Sequence, residues 1–581
     1  MLIFQQPGFL EYIFAIGVVI SFVALIIGAF KDRRNIKEVL KEHGFRLRDL
    51  AIIIAILLVF ILIEAYFVKA TQLLFFDDDI YQAMALMLLH MGQAWMCNFG
   101  NATACFSGQI FHEPIGLSFN FAIAYLLFGV SRGVGYGTEF GLGILSVFMS
   151  FFAALLLMRN KKAAFFTELI MALTPVIIVW SKPTNSDLAV LAYSMIAIFF
   201  FLIFMRKRNM WSFSNMLFSF SLLLYMKVDE FFFIPIFIAF YLLLESKGVV
   251  KTAKNTIDAI RKNILNTKLL LVVLFFMIAV VPSILYSYYE SQTDGYGWQG
   301  TTIQNTCHNL VPISVSSEIN IINFKANVCA NVLYWFDQYA ADYVMQPIIF
   351  TFLAILGAVL MLATGKNRRT FVAIAIWFGL FFLLYAAFYA GSVIYGVDWR
   401  FMLSLAAQAA MLGGFACAEM FDMADYYAKR FIKSAMTVKA INCIVLVAIL
   451  VLLFTPIYLL MPKLAVNPSS IPQAGDARFD ENLVYNSSSS IPNNCLVYSY
   501  DPTLFQLVGK NSTQIGDLYN VTQVDQYMQQ RKCLVLDYGY WCYTPNNECT
   551  YASQNYNIVP ITTATYRAMG RTYGFYYVYQ K

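Results

Sequence analysis

The sequence predicts an all-α polytopic membrane domain of about twelve transmembrane helices, followed by a small extracytosolic α/β domain. Three observations predict it. Apolar runs of about 20 residues, the length that crosses a hydrocarbon core, recur through residues 1–461 of the 581. The loops between them are short and basic, the signature of cytosolic connections. Residues 462–581 then turn polar, with Pro, Ser and Asn clusters separating short β-rich runs. The composition agrees: 60% hydrophobic, 17% aromatic, mean hydropathy +0.63. The net charge of +6 comes from those loops, which excludes reading it as a nucleic-acid surface.

The first apolar run, "FLEYIFAIGVVISFVALIIGAF", is too long for a signal-peptide core and has no basic residues before it. The segment after it, "KDRRNIKEVLKEHGFRLR", carries seven Lys/Arg and reads as a cytosolic loop, so the N-terminus is expected outside. Crossings are expected near 8–30, 50–68, 138–158, 163–180, 187–205, 211–226, 230–246, 268–286, 347–364, 370–391, 401–421 and 440–461. The cytosolic loops then contain "RNKK", "RKR", "KGVVKTAKNTIDAIRK", "KNRR" and "KRFIKSAMTVK", each of them basic. This register requires that residues 115–130, "IGLSFNFAIAYLLFGV", lie at the interface without crossing. The outer segments are then 69–137, 287–346 and 462–581.

Glycosylation sequons at Asn101, Asn486, Asn511 and Asn520 all fall in those outer segments. So do eight of the ten cysteines, in even numbers: Cys97 and Cys105; Cys307 and Cys329; Cys495, Cys533, Cys542 and Cys549. Disulfides in an oxidising compartment are expected, since the spacing of the last four fits no zinc pattern. Cys417 and Cys443 read as small apolar residues in or near spans. In the C-terminal domain, residues 462–494 read as a linker. "CLVYSY", "KCLVLDYGYW" and "YGFYYVYQ" read as strands, with a helix at "VTQVDQYMQQ" between the first two and no evident catalytic constellation.

The chemistry-bearing residues cluster at outer span ends. Asp77, Asp78 and Asp79 open the helical pattern "IYQAMALMLLHMGQ" directly after an apolar span. One aspartate capping the helix, with the others solvated, is the plain alternative to a catalytic role. About 35 residues on comes "FHEPIGLSFNFAIAYLLFG", which opens the interfacial segment that charge topology already requires.

Together these segments resemble the GT-C glycosyltransferases, polytopic enzymes that use polyprenyl-phosphate-linked sugars, among them protein O-mannosyltransferases and bacterial aminoarabinose transferases. The matching features are Asp77-Asp78-Asp79, Tyr81, and His112-Glu113-Pro114-Ile115-Gly116. Weaker likenesses follow at Pro175, Lys182 and Asp187; at Lys227, Asp229, Glu230 and Pro235; and at Arg400-Phe401. The resemblance covers roughly residues 50–420 as architecture. It implies sugar transfer from a polyprenyl- or dolichyl-phosphate donor to a glycan, protein or lipid acceptor. The site would face outside or the lumen, in a plasma membrane or endoplasmic reticulum, and mannose is the commonest sugar in such families.

An acceptor hydroxyl must lose its proton as it attacks the sugar, and a carboxylate serves as the base; Asp78 is the first choice, with Asp77 and Asp79 beside it. The departing phosphate gains charge, which fixed cations stabilise; Arg400 and Lys227 are the candidates, Arg400 oriented by Asp398. Tyr81, His112, Glu113, Lys182, Asp187 and Glu230 complete the expected substrate-binding set. Lys182 and Lys227 read equally as snorkelling anchors. Glu64, inside the second span, needs a partner that the sequence does not reveal. No cofactor is required, although Asp77 and Asp79 form an Asp-x-Asp pair suited to a divalent ion in an oligosaccharyltransferase-like alternative. A transporter is disfavoured, because the charges avoid the midplane and no repeat is visible.

Overall fold

A computed structural model of the chain describes residues 7–68, 77–101, 103–109, 114–244, 272–282, 284–285, 347–365, 367–388, 398–466, 472–530, 532–543 and 547–581. The first elements are helices α1 (Pro7–Glu42), α2 (Asp49–Phe67) and α3 (Asp77–Met91), then strands β1 (Met96–Asn101) and β2 (Ala104–Gln109). Helices α4 (Gly116–Phe128), α5 (Arg132–Met158), α6 (Lys161–Leu173), α7 (Pro175–Trp180), α8 (Ser186–Lys207), α9 (Met210–Met226) and α10 (Phe233–Leu244) follow. Next come α11 (Val272–Pro282), α12 (Ile348–Ala363), α13 (Arg368–Phe388), α14 (Leu403–Phe431) and α15 (Ala435–Val466). Six helices among the described residues are long and apolar enough to span a bilayer, and the chain is an integral membrane protein.

Small residues let these helices approach, the usual device where lipid offers no hydrophobic drive. A Cβ at Gly357 of α12 would meet the Leu412 carbonyl of α14, and one at Gly414 would meet Thr167 of α6. Between α1 and α9, the Ser21 and Ser221 hydroxyls bond at 2.8 Å.

Three expectations about the helices are corrected. The basic segment after the first span is no loop, because α1 runs unbroken to Glu42. "KDRRNIKEVLKE" contains only tolerable or strong helix formers and no breaker, and its Asp32 is buried, accepting from the Ser212 hydroxyl at 2.8 Å. The span expected at 163–180 breaks at Thr174, with Pro175 opening α7, as proline's missing N–H dictates. The expected linker contains α16 (Pro472–Ser487). Its Leu483 and Val484 pack into the core beneath the C-terminal sheet. The interfacial segment forms the 13-residue α4, whose last turn exposes Leu126, Leu127 and Phe128.

The C-terminal segment supplies β3 (Cys495–Ser499), α17 (Pro502–Leu507), β4 (Asn511–Gln514), α18 (Val521–Gln529), β5 (Cys533–Tyr538), α19 (Asn547–Asn555), β6 (Tyr556–Tyr566) and β7 (Arg571–Gln580). The three expected strands and the expected helix are present; β4 and β6 are additions. The sheet has seven strands in the order β2-β1-β4-β3-β5-β7-β6. Its first two are the hairpin from the first outer segment, which sequence reading left unassigned. Phe99 and Gly100 of β1 pair antiparallel with Thr513 and Ser512 of β4.

Disulfides join Cys97 to Cys105, Cys495 to Cys533 and Cys542 to Cys549, as the outer placement of those cysteines led us to expect. Cys307 and Cys329 lie outside the described residues, while Cys417 and Cys443 are free. Of the sequon asparagines, Asn486 and Asn520 are exposed. Asn101 donates its amide to the Asn511 side-chain oxygen at 2.8 Å, tying the hairpin to β4.

Candidate functional site

Helix α3 begins at Asp77, so the aspartate triplet is its first turn. Carboxylates there meet the positive end of the helix dipole. The reading of two solvated aspartates fails, because Asp78 and Asp79 are each 1% exposed. The Asp77 side chain lies outside the described residues. Tyr81 is buried one turn on.

What buries Asp79 is the C-terminal domain. Asp79 donates a hydrogen bond to Asp501, with Glu481 and Asp78 close by. Asp501 caps α17, accepting from the Leu504 amide at 3.2 Å and from the Thr503 hydroxyl. Burial first, then the neighbouring carboxylates, pushes Asp79 well above the ordinary aspartate range. Glu481 of α16 pairs with Arg132 of α5 at 2.5 Å. Burial nonetheless raises its carboxyl to about 7, against the pull of Arg132 and Arg478. Arg132 also donates to the Tyr136 hydroxyl at 2.7 Å.

Asp78 lies between the two domains, close to Tyr136 and Glu139 of α5 and to Arg478 of α16. Gln82, one turn along α3, donates to the Asp78 carbonyl at 3.0 Å and to the Thr184 hydroxyl at 3.4 Å. Glu139 of α5 is close enough to feel both Asp78 and Asp187. It accepts the backbone N–H of Asn185 at 3.0 Å, and Asn185 in turn caps α8 through Leu188. The irregular segment between α7 and α8 is therefore buried and satisfied, the condition for non-helical backbone at membrane depth. Its Ser181 donates to Glu64 of α2, and Lys182 lies 3.9 Å from the same carboxylate while donating to the Glu64 carbonyl at 2.7 Å. Glu64 thus has the partners that the sequence did not reveal, and Lys182 ties the ends of two helices.

Asp187 stands in the first turn of α8 and collects both expected cations. Lys227, capping the C-terminal end of α9, reaches it at 2.8 Å, and Arg400 at 3.4 Å. Both cations lie over the Phe401 ring, at 4.7 and 5.2 Å. The partner this geometry gives Arg400 is Asp187, whereas Asp398 was expected; the Asp398 side chain lies outside the described residues, as does that of Asp229. Two cations therefore meet on the buried carboxylate of Asp187. Glu230, in the short turn before α10, is also fully buried.

His112 and Glu113 lie outside the described residues, but the rest of their segment does not. A Cβ on Gly116 would strike the Tyr225 carbonyl, two residues before Lys227. The motif that opens α4 therefore runs alongside the cation pair, and only glycine permits that approach. The result is one polar seam from Asp78 through Glu139 and Asn185 to Asp187, Lys227 and Arg400.

Sequence reading missed Glu139, Arg132, Glu481 and Asp501. Glu139 carried a usable signal, a carboxylate within an apolar span. Glu481 and Asp501 carried none, since they become part of the site only when the C-terminal domain docks. Among the described residues no group of three or more His, Cys, Asp and Glu side chains is arranged to hold a metal.

No protein-family model and no curated protein matches the sequence. Solved structures do match the fold. The apo ArnT of Cupriavidus metallidurans aligns with a TM-score of 0.52 at 13% identity, covering 91% of this chain and 98% of that one. The apo oligosaccharyltransferase of Archaeoglobus fulgidus aligns with a TM-score of 0.50 at 12% identity, covering 84% and 69%. ArnT bound to undecaprenyl phosphate gives a TM-score of 0.49 at 14% identity, covering 92% and 98%. The chain thus shares its fold with ArnT and with the archaeal oligosaccharyltransferase, the fold that the resemblance implied.

Proposed function

We propose, starting from a GT-C fold with a buried carboxylate and a cation pair on one seam, that this protein is a membrane glycosyltransferase. It transfers a sugar from a polyprenyl-phosphate donor to an acceptor hydroxyl at the extracytosolic face. The observation that carries the reading is the Asp187–Lys227–Arg400 group, joined to Asp78 through Glu139. A lone acidic triplet or a lone anchoring lysine would not need the other half.

In this scheme the acceptor oxygen forms a bond to the sugar C1 while the bond from C1 to the phosphate oxygen breaks. The lipid phosphate leaves with the electron pair, and the acceptor proton passes to a carboxylate. Lys227 and Arg400 stabilise the phosphate as it gains charge; arginine binds it through a fork and lysine as a point charge. Asp187 holds both cations in place before substrate arrives. Asp79 is engaged by Asp501 of the C-terminal domain, so the role falls to Asp78, with Asp77 as the other candidate. The metal-dependent alternative, with Asp77 and Asp79 as ligands, is distinguished from this scheme by chelation. Mannose and dolichyl phosphate are one instance of this chemistry.

The test is transfer from synthetic polyprenyl-phosphate sugars by the full-length protein carrying Asp77→Asn, Asp78→Asn or Asp79→Asn. Loss of a general base costs typically 10²–10⁴-fold. That loss is expected for Asp78→Asn, with Asp79→Asn retaining most of its rate and chelators without effect. Transfer persisting in all three variants would overturn the assignment, and its abolition by chelators would restore the metal reading.

A further inference from the structure

Where α3 ends, Gly92 turns the chain at a φ of 67° and lies against the Tyr12 ring of α1. Glycine takes that turn without strain. Below it α1, α3 and α4 leave an apolar groove of about 440 Å³. Its walls include Tyr12, Ala15 and Val19 of α1, Leu88 of α3, and Phe119 and Leu126 of α4. The groove opens sideways, since Val19 and Leu126 are 44% and 70% exposed. Phe22 of α1 meets Phe119 edge to face at 5.4 Å and marks its inner end. From Glu11 to Phe22 the helix rises about 16 Å, close to half the ~30 Å hydrocarbon core of a bilayer. The groove thus has the length of one lipid leaflet.

Its outer end holds polar groups that the chain leaves unsatisfied. Glu11 stands one turn outward from Ala15, on the stripe of α1 that continues through Val19. Glu11 is 1% exposed, and its Oε2 has no hydrogen-bond partner. The Glu11 carbonyl accepts from the Ala94 amide at 3.3 Å, which holds the turn after α3 against this end. Gln93 donates its amide to the Tyr12 hydroxyl at 3.1 Å, while its side-chain oxygen is buried and unbonded. A buried polar atom without a partner costs about 1–3 kcal/mol. Two such acceptors at the mouth of an apolar groove call for donors from outside the chain. The helix dipole would favour a carboxylate at the start of α1. It does not account for burying that carboxylate unpaired.

Charge selects the kind of headgroup. Residues 7–30, 80–109 and 116–128, which supply the groove and its mouth, contain no Lys or Arg. A phosphate would meet a carboxylate there and no cation, and like charges repel. The cations suited to a phosphate, Lys227 and Arg400, lie beside the residues that open α4. Hydroxyl groups bring donors without charge and satisfy both acceptors.

We propose that this groove binds one chain of a membrane lipid with an uncharged, polyhydroxylated headgroup, as in a hexosyl diacylglycerol, whose hydroxyls donate to Glu11 and Gln93. The site is separate from the proposed transferase seam and does not rest on it.

The test is native mass spectrometry of the full-length protein released from nanodiscs holding a hexosyl diacylglycerol, phosphatidylglycerol and phosphatidylethanolamine in equal amounts. Wild type retains the glycolipid selectively. Val19→Trp fills the groove from its open side and lowers glycolipid retention by about tenfold or more. Glu11→Leu keeps the apolar walls and removes one acceptor. Its preference for the glycolipid over phosphatidylglycerol falls about tenfold, as expected for one strong hydrogen bond. Its lipid-free melting midpoint stays level or rises, because an unpaired buried carboxylate is gone. That combination separates recognition from a structural role. Wild type selecting either phospholipid overturns the headgroup assignment, and unchanged retention by Val19→Trp overturns the location. A lower midpoint with unchanged selectivity in Glu11→Leu assigns the carboxyl to the fold alone and overturns its part in recognition.

Discussion

Replacing Glu481 with glutamine tests how the C-terminal domain docks on the aspartate helix. Glu481 is 3% exposed and bonded to Arg132, yet burial raises its carboxyl from 4.5 to about 7. A raised acid binds its proton more tightly in the fold than in the unfolded chain. Its stabilising contribution is therefore complete below the unfolded value and is lost as pH rises through about 7. At 1.36 kcal/mol per pH unit, the whole contribution is about 3 kcal/mol. Hydrogen exchange in α16, followed from about pH 5 to about pH 8, should show protection falling in wild type by up to about 1.4 kcal/mol per pH unit from this group until about pH 7 and levelling off above it. Glutamine carries no titrating proton and keeps a hydrogen bond to Arg132. The variant's slope should then shrink by one proton while its absolute level shifts by a constant. Asp79 and Asp501, also raised by burial, keep some slope in the variant. Protection that rises with pH in wild type, or an unchanged slope in the variant, would refute this account of the interface.

Two further outcomes follow from the same geometry. Lys227→Ala removes one member of a buried ion pair and leaves Asp187 with Arg400 alone; transfer should fall by about 10²–10³-fold, with Lys227→Arg recovering part of it in the same assay. Replacing Cys97 and Cys105 with serine opens a loop of eight residues, which by chain entropy should destabilise the hairpin by about 2.5 kcal/mol, read as faster exchange at Phe99 and Gly100.

The membrane half was legible because one physical rule governs it. Apolar length and loop charge place helices without reference to partners, and the short α4 emerged from that accounting before any motif was considered. Glycine, proline and charge told less where tertiary contact decides. Residues 472–487 read as linker because Pro, Ser and Asn dominate the flanks, while Leu483 and Val484 acquire meaning only under the sheet. The strands at 96–109 lack β-branched residues, and a disulfide and a strand from the far end of the chain hold them. The cations Lys227 and Arg400 could be singled out, but their shared carboxylate could not, since Asp187 joins them only through three helix ends.

The seven-stranded sheet has a consequence for biosynthesis. Residues near 96–109 leave the ribosome long before Asn511–Gln514, the strand on which they pair. Until then the β1 edge is open, and Asp79 has no Asp501 to bond with. Pairing this distant in sequence is slow to form. A chain that stops short of its last domain would therefore present an unfinished site and an adhesive strand edge. Completion of the polypeptide becomes a condition for function, and that exposed edge is what a quality-control protease or chaperone would find on a truncated copy.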